Sequence, residues 1–217
     1  TIALILGCNG SESTKRSQTQ LIQGSWTKVS PEGDTRCSGD TPYSFYVRGG
    51  DMKKVAVIFQ GGGGCWNDAT CGPESEVFFR EVDEADDPTG LQGLFDFSDD
   101  RNPIASYTVV FVPYCTADCH LGEAEVEYLS GTEQETTVFH NGHINAMSAV
   151  NWLFTHIDRP ATAFVTGMSA GAIASPLYAG IIANHYPSTQ VTQIGDAAGG
   201  YRQRQISSIL QGWGASA

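Results

Sequence analysis

The pentapeptide Gly167–Gly171, Gly-Met-Ser-Ala-Gly, has the spacing of a nucleophilic serine held in a sharp turn. It lies between a β-branched and aromatic run typical of a strand (161–169) and a run of small residues typical of a helix (170–186). This is the context of a G-x-S-x-G nucleophile elbow, where small neighbours let the hydroxyl stand on a strained turn above the sheet. The N-terminus of the helix also favours an anion beside the serine. We therefore prefer a catalytic role for Ser169 over an ordinary turn.

A run of four glycines, Gly61–Gly64, directly follows the buried-strand pattern "KKVAVIFQ" (53–60). A serine that attacks a carbonyl needs backbone N–H donors at the oxygen that becomes negative. One donor belongs to the residue after the nucleophile, here Ala170, and another to a glycine-rich loop after an earlier strand. A phosphate loop is disfavoured because no G-K-[ST] follows, and a dinucleotide loop because no helix follows. The glycines therefore predict part of an oxyanion hole.

Further segments supply the elements that must position these residues. The run "SYTVVFVPYC" (106–115) predicts another strand, and 142–157 has apolar residues at helical spacing. Residues 41–50 and 190–200 each read as a strand followed by a turn. Strands that alternate with helices indicate a mostly parallel α/β sheet, and the acidic stretch 81–90 is expected to be a solvated loop.

Composition limits the classes of function. The chain has 217 residues, 41% hydrophobic residues and a net charge of −12, which fits one domain and argues against binding nucleic acid or anionic membranes by charge. The start "TIALILGC" resembles the end of a lipoprotein signal with acylation at Cys8, although a buried first strand is an alternative. We expect residues 1–25 to be a signal remnant and tether, and residues 26–217 to be the folded domain of an exported or cell-envelope protein.

Cysteine usage also fits export. Cys65 and Cys71 are close enough in sequence for a short disulfide, and the metal-binding alternative has no CxxC pair or HExxH to support it. The pairing of Cys37, Cys115 and Cys119 stays open, because with Cys8 set aside the number of cysteines is odd.

Four ordered segments together resemble the pectin acetylesterase/Notum family of serine carboxylesterases: "FQGGGGCWNDATC", "VPYCTADCHLGE", "HNGHINA" and "VTGMSAGAIASP". The resemblance runs from about Cys37 to the end of the chain. It implies an α/β-hydrolase-like fold, with a mostly parallel central sheet and helices on both faces. Cys119 and His120 depart from the family pattern.

The resemblance also implies roles for individual residues. Ser169 would be the nucleophile, and the amides of Gly63, Gly64 and Ala170 would form the oxyanion hole. A Cys65–Cys71 disulfide would brace the glycine loop. Trp66 would line the acyl pocket, although a core tryptophan is an alternative, and Asp196 would lie near the pocket.

The acid and base of a triad are not evident. In this fold the order is Ser, then Asp or Glu, then His. After Ser169 the single histidine, His185, precedes the only aspartate, Asp196, and lies at the end of a predicted helix. We interpret His140 and His143 as loop and helix-cap residues, and Asp118 as a residue that orders loops near the pocket. We expect the last strands, with the acid and base, to lie beyond Ala217.

The sequence therefore predicts an esterase that hydrolyses short, acetyl-type esters on a polysaccharide or a small ester through an acyl-enzyme on Ser169. No cofactor or metal is expected, and membrane contact only through a lipid on Cys8. The alternative is a non-catalytic surface lipoprotein that binds glycan or lipid in a degenerate hydrolase pocket.

Overall fold

The computed structural model describes residues 21–129, 135–199 and 203–215, of which residues 203–205 are described by their backbone only. Most of the predicted tether, with Cys8, lies outside these residues. The part of the predicted tether that is described, 21–25, adjoins the sheet, since the Gly24 amide donates to the Gly49 carbonyl over 2.8 Å.

Eight strands and four α-helices follow one another along the described chain. The strands are β1 (Trp26–Val29), β2 (Phe45–Arg48), β3 (Asp51–Phe59), β4 (Tyr107–Val112), β5 (Ala124–Leu129), β6 (Glu135–His140), β7 (Thr162–Met168) and β8 (Gln190–Asp196). The helices are α1 (Asp68–Cys71), α2 (Gly142–His156), α3 (Ala170–His185) and α4 (Gln203–Gly212). The predicted strands and long helices are present, whereas β1, the β5–β6 hairpin and α4 were not predicted.

Six strands form one sheet in the order β1-β2-β4-β3-β7-β8, and β5 and β6 pair separately as an antiparallel hairpin. β4, β3, β7 and β8 run parallel, whereas at one edge β2 pairs antiparallel with β4 and β1 pairs antiparallel with β2. In the register of β3 and β7, Phe59 pairs with Gly167. The segments that follow β3 and β7 therefore begin at the same edge of the sheet.

The two faces of the sheet are covered differently. On one face, side chains such as Val55, Val57 and Phe59 pack in one core with α2 and α3. On the other face, Ala56 and Ile58 belong to a smaller core, which the segment 91–104 helps to cover. In the described part of the chain, this second face is covered by loops and a short 3₁₀ helix instead of a long helix.

The acidic stretch 81–90 is not a fully solvated loop, so that expectation was wrong in part. Asp86 is buried, and its carboxylate accepts a 2.6 Å hydrogen bond from the Gln60 side chain. Burial raises the pKa of Asp86, and the hydrogen bond from Gln60 opposes that rise.

Within the described residues, no helix is long and apolar enough to cross a bilayer.

Candidate active site

Ser169 lies at the turn between β7 and α3, in a conformation that L-residues rarely adopt. Its φ is 51° and its ψ is −115°, and α3 begins at the next residue. The turn is fixed by the backbone, because the Ser169 amide donates to the Asp196 carbonyl over 2.8 Å. A non-glycine residue at positive φ is strained, and such strain is typical of residues that a fold holds for function.

Glycines on both sides of Ser169 allow this turn to pack closely. A Cβ on Gly171 would overlap the carbonyl oxygen of Phe59, at the end of β3. A Cβ on Gly167 would overlap the backbone of Gly171. The two glycines of the G-x-S-x-G pattern are therefore required by backbone contacts, and they place the start of α3 against β3.

The glycine loop, Gly61–Gly64, lies directly beside the turn. A Cβ on Gly61 would be 2.7 Å from the Met168 carbonyl oxygen and 3.1 Å from the Ser169 Cβ. Gly63 has a φ of 79°, in the left-handed region that favours glycine. The loop thus brings backbone close to the serine, as an oxyanion hole requires.

Ser169, Ala170, Gly63 and Gly64 border one cavity of about 370 Å³. The rest of the cavity lining is almost entirely apolar: Trp66, Cys119, Leu121, Ile173, Ile206, Ile209, Leu210 and Trp213. The predicted nucleophile and the predicted donor residues therefore share one cavity with an apolar wall. Such a wall suits an aliphatic group.

The other predicted pocket residues have different places. Trp66 lines the cavity and is 48% exposed, so it is not a core tryptophan. The Asp196 carbonyl contacts the turn, but Asp196 as a whole is exposed and does not line the cavity. Asp118 is fully buried, lies outside the cavity lining and accepts hydrogen bonds from the backbone amides of Gly122 and Gly142.

None of the described histidines lines the cavity. The His185 ring stacks on Phe154 at a centroid distance of 3.7 Å, at the far end of α3. His140 is buried; its Nδ1 donates to the Thr116 carbonyl over 3.1 Å, and its Nε2 accepts from the Tyr128 hydroxyl over 2.8 Å. Among the described residues, no histidine or carboxylate lines the cavity, so none of them occupies the place of a triad base or acid.

Two disulfides form among the described residues. Cys65 pairs with Cys71 immediately after the glycine loop, and Cys37 pairs with Cys115 beyond the end of β4. In the described part of the chain Cys119 is the free cysteine, and burial raises the pKa of its thiol to about 12. His140 lies near the sulfurs of Cys65 and Cys71, but these sulfurs are joined as a disulfide and do not offer the thiolates that a metal would bind.

The apolar wall from α4 was not predicted. Ile206, Ile209 and Leu210 recur at helical spacing, which is the signal that could have revealed an amphipathic helix. Trp213, just after this helix, contacts the residue that follows the glycine loop, since its Nε1 donates to the Cys65 carbonyl over 2.7 Å.

A mostly parallel sheet, with a serine turn and a glycine loop at the carboxyl ends of neighbouring strands, defines the α/β-hydrolase fold class. The comparisons with known proteins name the family. The family model for pectinacetylesterase matches residues 17–208, so the chain belongs to the pectinacetylesterase family.

Two known proteins illustrate the relationship. Pectin acetylesterase 5 of Arabidopsis thaliana is 24% identical over 176 residues, which cover 79% of this chain and 40% of that protein. The solved structure of the Wnt deacylase Notum from Drosophila superimposes with a TM-score of 0.53 at 15% identity, over 86% of this chain and 57% of that one. The chain therefore shares the fold of Notum and spans less than two thirds of either relative.

Proposed function

We propose that this protein is an exported serine carboxylesterase that forms an acyl-enzyme on Ser169. The observation that supports the proposal is the shared cavity, which a serine at positive φ lines together with two residues of the glycine loop and the first residue of α3. Membership of the pectinacetylesterase family supports the reaction class.

In the proposed reaction, the Ser169 hydroxyl oxygen bonds to the ester carbonyl carbon while a base takes its proton. The carbonyl oxygen becomes an oxyanion, which the amides of Ala170 and of Gly63 or Gly64 stabilise by hydrogen bonds. The C–O bond to the alcohol breaks, and the alcohol leaves with a proton. Water then attacks the acyl-enzyme by the same route and releases the carboxylic acid.

The cavity supports an aliphatic acyl group. The family resemblance implies acetyl, but a cavity of about 370 Å³ with isoleucine, leucine and tryptophan walls also has room for longer chains. Each additional buried methylene contributes roughly 0.8 kcal/mol, so an apolar cavity this large favours longer chains until it is filled. We therefore propose acetyl and longer aliphatic esters as substrates.

The alcohol is proposed to be a carbohydrate or a small molecule. The relatives are named for acetylated pectin and for Wnt, but the net charge of −12 gives no long-range attraction to a polyanion such as pectin. An uncharged acylated glycan or a small ester fits this charge better. Two disulfides in the described chain are consistent with export, and lipid attachment at Cys8 remains a prediction.

A second candidate is a non-catalytic protein that binds glycan or lipid in this cavity. It is favoured by one observation: the described cavity lining holds no imidazole and no carboxylate. This candidate predicts binding of an aliphatic ester without turnover.

The experiment compares the full-length protein with the Ser169→Ala variant on p-nitrophenyl esters from acetate to decanoate. Ser148→Ala is the control, because Ser148 lies in α2 and, within the described residues, its hydroxyl donates to its own helix, at the Asn145 carbonyl. The proposal predicts turnover that Ser169→Ala abolishes and Ser148→Ala preserves. Equal turnover in wild type and Ser169→Ala would refute the nucleophile, and ester binding without turnover would establish the second candidate.

A further inference from the structure

The segment after β4, Tyr114–Leu121, has an unusual backbone. Three of its non-glycine residues have positive φ: Ala117 (62°), Cys119 (55°) and His120 (59°). L-residues with a side chain are strained in this conformation, so the surrounding contacts must hold it.

The Asp118 carboxylate holds the segment from within. Its Oδ1 accepts hydrogen bonds from the Thr116 hydroxyl over 2.7 Å and from the His120 amide over 3.1 Å. Its Oδ2 accepts from the amides of Gly122 and Gly142 over 3.1 and 2.7 Å. The last of these bonds ties the segment to the first turn of α2, so the segment has a rigid support.

Tyr114 joins this supported segment to the glycine loop. Its hydroxyl accepts a hydrogen bond from the Cys119 amide over 2.8 Å and donates one to the Gly63 carbonyl over 3.0 Å. The Tyr114 ring is buried, and a Cβ on Gly62 would come 2.5 Å from it. One buried side chain therefore sets both the position and the orientation of the loop.

His120 makes a second connection to the same loop. Its Nε2 donates to the Gln60 carbonyl over 2.9 Å, just before the first glycine. Burial lowers the pKa of His120 to about 4, so the ring is neutral at pH 7 and Nε2 carries its one proton. Its own carbonyl accepts a 2.6 Å hydrogen bond from the Tyr178 hydroxyl of α3, which fixes the donor in place.

These two bonds restrict the amides of the loop. In a trans peptide unit the C=O and N–H groups point in opposite directions. Holding the Gly63 carbonyl therefore fixes the direction of the Gly64 N–H, a proposed oxyanion donor, and holding the Gln60 carbonyl fixes the peptide unit at which the glycine loop begins. An oxyanion hole needs such preorganised donors, because a donor that must reorient during the reaction stabilises the oxyanion less.

We propose that Tyr114 and His120 are positioning residues of the glycine loop. They hold the carbonyls of Gly63 and Gln60 on the side of the loop opposite to the substrate. This inference rests on the proposed esterase function and extends it to residues that do not touch the substrate. It also gives a role to His120, which departs from the family pattern.

The test uses Tyr114→Phe, with Tyr186→Phe as the matched control. Tyr186 is also buried and donates to carbonyls, those of Leu153 and Ile157, but it contacts α2 instead of the glycine loop. Tyr114→Phe is expected to lower kcat by about ten- to a hundredfold while KM changes less than about twofold. Tyr186→Phe should leave kcat unchanged even if it lowers the melting temperature.

A pair of inhibitors separates positioning from a merely structural role. An alkyl trifluoromethyl ketone forms a tetrahedral oxyanion adduct with serine, whereas the corresponding trifluoromethyl carbinol fills the same space without one. Tyr114→Phe should weaken the binding of the ketone in proportion to the loss of kcat, and it should leave the binding of the carbinol unchanged. Equal weakening of both inhibitors, or an unchanged kcat, would overturn the inference.

A second pair of variants keeps the inference testable if Tyr114→Phe does not fold. His120→Gln retains an N–H donor for the Gln60 carbonyl, and His120→Leu does not. Glutamine should keep kcat within about threefold of wild type, and leucine should lower it by about tenfold. Equal kcat for the two variants would refute the role of His120. Equal turnover by the wild type and by Ser169→Ala would instead refute the proposed function.

Discussion

Gly63→Ala tests whether the glycine loop has the geometry described here. Gly63 has a φ of 79°, and a Cβ there would overlap the Val77 carbonyl oxygen and lie 2.9 Å from its carbon. Gly64 is the matched control in the same loop, because its φ is not positive and its Cβ would lie 3.3 Å from the nearest atom, the Ala117 carbonyl oxygen. The two substitutions add the same methyl group one residue apart.

The expected magnitudes follow from these contacts. Placing alanine in the left-handed region costs roughly 1–2 kcal/mol. Relieving the overlap with Val77 requires a backbone shift, which adds roughly 1–3 kcal/mol, as overpacking does elsewhere. We expect Gly63→Ala to lower the free energy of unfolding by about 2–5 kcal/mol. Gly64→Ala should change it by less than about 1 kcal/mol, since alanine also restricts the unfolded chain.

Activity should follow the same order. A displacement of about 1 Å in a catalytic group can cost about a hundredfold in rate, and we expect a loss of that order in kcat for Gly63→Ala. Urea unfolding followed by tryptophan fluorescence measures stability, and hydrolysis of p-nitrophenyl acetate measures kcat and KM. Equal destabilisation by the two substitutions, or wild-type stability in Gly63→Ala, would refute the loop geometry.

Three further predictions concern pH, the disulfides and the cavity. Burial lowers the pKa of His120 and His140 from 6.5 to about 4. Between these pH values the unfolded chain binds more protons, so the free energy of unfolding falls as the pH falls from 6.5 towards 4, by roughly 3 kcal/mol per histidine. Asp118 opposes this trend, because burial raises its pKa from 3.8 to about 6 and its contribution falls as the pH rises through that range. Urea unfolding between pH 7.5 and 4 should therefore show a net acid destabilisation, with a shallower slope in His140→Gln; an equal slope would contradict the buried neutral ring. Replacing Cys37 and Cys115 by alanine opens a loop with a sequence separation of 78, against 6 for Cys65 and Cys71. Because a longer loop has more chain entropy to lose, removing Cys37–Cys115 should lower the free energy of unfolding by about 4–5 kcal/mol and removing Cys65–Cys71 by about 2 kcal/mol. A larger loss for Cys65–Cys71 would contradict this explanation. Ile209→Trp should reduce the cavity volume and lower kcat/KM for decanoate esters more than for acetate, and an unchanged chain-length profile would show that the acyl chain lies elsewhere.

The local parts of the site could be predicted from the sequence. The turn at Ser169 is specified by adjacent residues, since a β-branched strand, two glycines and a small-residue helix follow one another within one segment. The parallel sheet could be predicted as well, because residues 55–59 of β3 and 109–112 of β4 are buried and read as continuous apolar runs.

The contacts between distant segments could not be predicted. The Cys37–Cys115 pairing was open because an odd set of cysteines has several possible pairings, and only the fold brings these two together. Tyr114 looks like any tyrosine at a strand end, and its bond to the Gly63 carbonyl depends on the parallel register of β3 and β4. Asp86 was assigned to solvent by its acidic neighbours, whereas the partner that explains its burial, Gln60, is distant in the sequence.

The proposed catalysis requires that the Ser169 hydroxyl faces amides of the glycine loop and of Ala170. The most direct measurement is a crystal structure of the full-length protein after reaction with an alkyl fluorophosphonate, whose phosphoryl oxygen occupies the place of the oxyanion. We expect a covalent bond between phosphorus and Ser169 Oγ, with the phosphoryl oxygen about 2.7–3.1 Å from the Ala170 amide and from a Gly63 or Gly64 amide. An adduct on another residue, or a phosphoryl oxygen directed away from these amides, would contradict it.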